Sequence, residues 1–299
     1  MMKIVAIFLQ ALLVIAGTNA SKPDTAGPAQ VAGGGIHRQY KMGETMKYHM
    51  KAKNDAWEYE IDAIGTVGKN KEGAWEEQFA WSNMVSAGHP LPLPPESANF
   101  RQELSLDPAY AMKLPDFSKV SPMLVGPMAD MMTFYSDLWL AIKAGNLSKA
   151  GDHLYVPVGG PNSWADGGHV ILGEDSIDFD FTLAEMDAAT KTAKLVAKHV
   201  PPKEPKVRLS TEWMKAKVAD TPNNWVEVSK NGEKYAAEVG KETFTVELKV
   251  SLEDGKILHV AMENPVTAIH RECTDAALTQ CGPATPRQIM RRVEVELQQ

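Results

Sequence analysis

Alternation of apolar and polar residues, repeated in segment after segment, most constrains what this chain can fold into. In residues 44–53, Met46, Tyr48 and Met50 alternate with Thr45, Lys47 and His49. In residues 56–67, Trp57, Tyr59 and Ile61 point one way and Glu58, Glu60 and Asp62 the other. In residues 176–186, Ile177, Phe179, Phe181 and Leu183 oppose Asp178, Asp180 and Thr182. A period of two marks a strand with one dry and one wet face. Further strands are expected at 75–85, 99–106, 192–200, 225–229, 235–239, 243–252, 257–263 and 287–297. The turns between them are short and polar, with Asn231-Gly232 and Asp254-Gly255 as hairpin signals. Such spacing predicts an antiparallel meander.

A sheet with one dry face needs a cover. The chain offers one clear helix, expected over 127–144, with Pro127 in its first turn and Gly145 as its stop. Met128, Met131, Met132, Tyr135, Leu138, Trp139 and Ile142 form its wide apolar stripe. One helix cannot cover ten or more strands of a flat sheet, so the sheet must curl or split. The expected fold is mainly β: a long antiparallel meander forming a strongly curved sheet or half-barrel, with the central helix packed as a lid. A single domain over 39–299 is expected, with a helix- and loop-containing insertion at about 107–173. The Pro-rich stretch 89–95 cannot be an interior strand.

The first twenty residues set the compartment. Lys3 is followed by an apolar run over 4–16 broken only by Gln10, then by Gly17, Thr18, Asn19 and Ala20. This reads as a secretory signal peptide cleaved near Ala20, with the mature protein secreted or periplasmic. Residues 21–38 read as a flexible Gly/Pro/Ala tether. The apolar run is too short to span a bilayer and no second one exists, so no transmembrane anchor is expected. The formal net charge is −7 and becomes about −8 without Lys3, which disfavours nucleic acid and anionic lipid surfaces as partners. The two cysteines, Cys273 and Cys281, read as a disulfide in an oxidising compartment. Two free thiols or half of a metal site are the alternatives, although zinc would need closer pairs and more ligands.

The opening GETMKYHMKAK, the long antiparallel strands, the NG and DG hairpins and the central helix together resemble curved-sheet periplasmic proteins of the lipoprotein-carrier type. They are also similar to exported bacterial β-rich proteins of that shape. The resemblance covers the general layout of residues 40–299 and includes no diagnostic motif. It implies a concave sheet with a helical lid over an apolar cavity that receives acyl chains. The segment 107–173 departs from the simple carrier layout.

Residues able to carry chemistry are few. The methionines Met123, Met128, Met131 and Met132 could ligate copper, but share the packing stripe of the helix. Asp152, His153, Asp166 and His169 could serve a hydrolase or zinc, and Asp beside glycine equally makes turns. Glu174, Asp175, Asp178 and Asp180 could attract calcium, but the last two lie on the polar face of a strand. No G-x-S-x-G, H-E-x-x-H or P-loop is present. Asn146-Leu147-Ser148 fits a glycan acceptor.

No catalytic residue, metal or cofactor is therefore assigned. The leading expectation is a protein that binds or carries an apolar, lipid-like molecule in a cleft between sheet and helix. Tyr48, Trp57, Phe79 or Trp81, Phe179 and Phe181 would form the wall, and Met131, Tyr135 and Trp139 the lid. The alternatives are an envelope scaffold or interaction protein with a filled core, and a hydrolase-type enzyme built on the loop Asp and His residues.

Overall fold

In the computed structural model the described residues are 35–54, 57–110, 120–158, 161–166, 169–174, 177–200 and 225–298. Residues 1–20, read as a signal peptide, and most of 21–38, read as a tether, lie outside them. The strands are β1 (Thr45–Lys53), β2 (Glu58–Lys69), β3 (Trp75–Ser86), β4 (His89–Pro90) and β5 (Gln102–Leu104). The helix α1 (Pro122–Ala144) follows, then β6 (His153–Val158), β7 (Pro161–Asp166), β8 (His169–Glu174), β9 (Ile177–Asp187) and β10 (Thr192–Val200). The chain closes with β11 (Trp225–Asn231), β12 (Lys234–Glu242), β13 (Thr245–Ser251), β14 (Ile257–Cys273) and β15 (Thr285–Gln298). All of the strand pairings are antiparallel and join one sheet that does not close into a barrel.

The sheet has a trunk and two wings. β3, β2, β1, β15 and β14 run side by side, so the first strand pairs with the last. β14 is long and changes partner along its length. Its first part pairs β13, from Ile257 to Glu263, and its second pairs β12, from Val266 to Cys273. One wing continues β13–β10–β9–β6, the other β12–β11–β8–β7. The fork falls at Asn264 and Pro265. Proline donates no ladder bond, and it sits where pairing to β13 has ended and pairing to β12 begins. The buried Asn264 amide bridges the gap by donating to Glu242 Oε1 (3.0 Å) and to the Thr243 carbonyl (2.9 Å). Gly240 makes the second wing possible: a Cβ there would lie 2.0 Å from the Thr267 carbonyl oxygen.

Several elements differ from their expected bounds. Residues 257–263 are only the first part of β14, and of 99–106 only Gln102–Leu104 pairs, against β3. The helix begins at Pro122, ahead of the expected start at residue 127. Ser121 caps it by accepting from the Met123 N–H (3.4 Å), Pro122 takes the first turn and Pro127 lies inside. Two prolines near one helix start leave the boundary ambiguous, because either suits the first turn. Gly145, with φ +67°, ends the helix as expected.

The helix is also more deeply enclosed than a one-sided stripe implies. Every residue from Leu124 to Ala141 is buried. Its side chains reach β2 through Asp130, β3 through Tyr135, and β15 through Asp130 again. The sheet therefore wraps the helix, and one apolar cluster unites α1 with β1–β3, β9, β10, β13, β14 and β15. Helix sides carrying Thr133, Ser136 and Asp137 are buried along with the methionine stripe. Among the described residues the second wing has no helix, and Val266, Ala268 and Ile289 form a small separate cluster at its root.

Candidate functional site

The residues expected to line a cleft fall in one buried cluster, and several of their rings touch. Tyr48, Phe179, Phe181, Met131, Tyr135 and Trp139 are each at most 2% exposed, and Trp57 is partly buried at the edge of the same cluster. Phe79 packs against Tyr48 (centroids 6.0 Å) and edge-on against Tyr135 (5.5 Å). Phe179 stacks on Phe181 (5.6 Å), and Trp57 stacks on Tyr59 (4.8 Å). The Trp139 indole N–H donates to the Asp107 carbonyl (3.0 Å). These aromatic rings pack against one another in the interface between sheet and helix.

Two buried charge clusters stand in this core, and neither was singled out from the sequence. In the first, Arg38 Nε donates to Glu77 Oε1 (2.8 Å), and the Tyr135 hydroxyl donates to Glu77 Oε2. Arg38 also pairs with Glu44 (3.1 Å), and Lys256 bridges Glu44 (2.7 Å) and Asp254 (2.8 Å). In the second, Arg291 donates to Asp130 Oδ1, and the Tyr59 hydroxyl donates to Asp130 Oδ2 (3.1 Å). Burial pushes both the Glu77 and the Asp130 carboxyls up from their ordinary range, and the partner arginines pull them back. Asp137, also on the helix, is buried without a charged partner among the described residues, and burial holds its carboxyl well above the usual range.

The sequence held a signal for two of these groups: Asp130 and Asp137 are acids inside an otherwise apolar helix. Arg38 falls at the end of the segment read as a tether, yet its side chain is 1% exposed. Gln39 N–H donates to the Asp254 carbonyl (2.8 Å), so residues 36–40 are laid onto the body beside the β13–β14 turn.

The loop residues proposed for hydrolysis do other work where they are described. Asp152 Oδ2 accepts from the Ser148 and Lys149 N–H groups (2.7 and 2.8 Å), a turn arrangement that holds its carboxyl below the usual range. His153 pairs with Asp180 (3.0 Å), and the Tyr155 hydroxyl donates to Asp178. Asp166 and His169 are backbone partners across the β7–β8 hairpin; their side chains, and those of Glu174 and Asp175, lie outside the described residues. Met128, Met131 and Met132 are buried in the main core.

Cys273 and Cys281 form a disulfide joining the end of β14 to the loop before β15. The bridge is consistent with an oxidising, extracytoplasmic location. Among the described residues no helix is long and apolar enough to cross a membrane. The fold thus defines a class: an open antiparallel sheet wrapped around one buried helix, stapled by one disulfide. No protein-family model matches the chain, and comparison with curated proteins finds no match.

Proposed function

We propose that this is an exported interaction or scaffold protein of the cell envelope, without catalytic activity, whose sheet encloses its own helix as a filled core. The single observation that carries the reading is the burial of α1 on all sides over residues 124–141. The surface that would receive an acyl chain is covered by the helix, and the aromatic residues there are paired with one another. Two ion clusters tie the helix to the sheet at buried positions, and moving the helix aside would strand a charge in the core. Function then belongs to the outer face, where polar side chains alternate with the core residues of every trunk strand. Export through the signal over residues 1–20 and the disulfide complete the reading.

A second reading, carriage of an apolar ligand, is favoured by one feature. Met128, Met131 and Met132 form an adaptable, repackable patch on the helix. Titration with a fluorescent fatty acid separates the two. The filled-core reading expects no saturable binding to the wild type. Saturable, stoichiometric binding that Trp139→Ala alters in a still-folded protein would establish the carrier instead.

A further inference from the structure

The outer face of the trunk carries a group of side chains that the sequence analysis did not assemble. His259 on β14 and Glu296 on β15 are directly opposed across the strands, and Glu294 lies two residues along β15 on the same face. Val260, Val293 and Val295, between or beside them, are at most 2% exposed and point into the core, so the three side chains point out. One donor atom from each lies within 4.8 Å of the others, and His259 Nε2 is 3.1 Å from Glu294 Oε1. Glu294 faces Ala261 on β14, whose methyl leaves room above the sheet. His259 borders a depression of about 290 Å³, and Glu294 borders another of about 500 Å³.

We propose that His259, Glu294 and Glu296 form a surface site for a single divalent transition metal of the zinc type. One imidazole and two carboxylates are donors that zinc accepts, at bonds of about 2.0–2.2 Å with four ligands in all. The exposed glutamate side chains contract onto the ion by rotation, and water from either depression supplies the fourth position. The imidazole selects zinc over calcium or magnesium, which take oxygen ligands. All three residues stand on hydrogen-bonded strands in fixed register, and a site on strands is held more precisely than one on loops. Of the cations beside the site, Lys51, opposite Glu294, reaches toward Glu60 (3.6 Å), and Arg292, two residues before Glu294, pairs with Glu263 (3.2 Å). His49, opposite Glu296 on β1, has its ring nitrogens at Asp62 (2.7 Å) and Glu60 (3.0 Å) and is not a ligand. The site is independent of whether the core accepts a ligand.

Isothermal titration of the full chain with zinc chloride tests the proposal. One equivalent is expected to bind to the wild type, with affinity about tenfold or more weaker in His259→Ala and severalfold weaker in Glu294→Gln and Glu296→Gln. His49→Ala should bind as the wild type does, and thermal melts should confirm that each exposed-face variant is folded. Three results would overturn the assignment: no zinc uptake by the wild type, equal uptake by His259→Ala, or equal affinity for calcium.

Discussion

The two buried charge clusters are built from the same parts, an arginine, a carboxylate and a tyrosine, but the chain supplies them differently. At Arg291–Asp130–Tyr59 the arginine comes from the last strand, the acid from the helix and the hydroxyl from β2. That cluster fastens the helix to the middle of the trunk. At Arg38–Glu77–Tyr135 the helix gives only the hydroxyl, and the arginine comes from the segment that enters β1. Glu44, Lys256 and Asp254, all less deeply buried, extend it toward the surface. Similar chemistry therefore serves two purposes: one cluster positions the helix, and the other seals an incoming segment over the end of the sheet. The costs of breaking them should differ accordingly.

The largest effect is expected at the inner cluster. Arg291→Ala leaves Asp130 buried without its counter-charge and should cost about 3–5 kcal/mol in urea denaturation. The double change Arg291→Met with Asp130→Leu should recover most of that loss, since removing both charges leaves nothing stranded. Arg38→Ala should cost less, about 1.5–3 kcal/mol. Glu44 keeps Lys256, and loosening of the terminal segment lets water reach Glu77. Hydrogen exchange sharpens the contrast: Arg38→Ala should speed exchange locally at residues 36–44, whereas Arg291→Ala should speed it throughout the trunk. Equal losses, both global, would mean that the outer cluster also holds the helix.

Asp137 and His199 are buried titratable groups that, among the described residues, lack the counter-charge both clusters have, and they oppose each other in pH dependence. Burial raises Asp137, so the folded state holds its proton more tightly than the unfolded chain does. Its penalty grows as pH rises from about 4 toward the raised folded value. Asp137→Leu should therefore stabilise the protein at pH 7 by about 1–3 kcal/mol, with the gain shrinking at pH 4. His199 sits between Phe179 and Phe244, and burial lowers its pKa to about 3. The unfolded chain takes up that proton first, so stability is lost as pH falls from about 6.5 toward 3. His199→Phe should lessen this acid sensitivity, the smallest of the effects, seen as a shallower fall in melting temperature with pH.

The strands were legible because each trunk strand has one dry face. Met46, Tyr48 and Met50 are buried in alternation, as are Phe179, Phe181 and Leu183. The requirement that the sheet curl followed from one helix facing many strands, and it holds. The fork in β14 was not legible. Val266 and Ala268 continue the alternation past Pro265, but the proline reads locally as a stop. Nor was the full enclosure of the helix, because Thr133, Ser136 and Asp137 read as a solvent side and yet are buried. The charge clusters join residues 39 and 161 positions apart in sequence, Arg38 with Glu77 and Arg291 with Asp130, and no local pattern announces such pairs. The aromatic set proposed as a wall was found together because its members share the dry faces. Whether that set encloses a guest is a matter of space, which sequence periodicity does not encode.

That question is the central one, and native mass spectrometry of the protein purified from its own compartment, followed by organic extraction, answers it most directly. A filled core predicts the polypeptide mass alone, less the two hydrogens of the Cys273–Cys281 bridge, with no lipid in the extract. A stoichiometric adduct of lipid mass, recovered by extraction, would contradict the account and make the helix a movable cover.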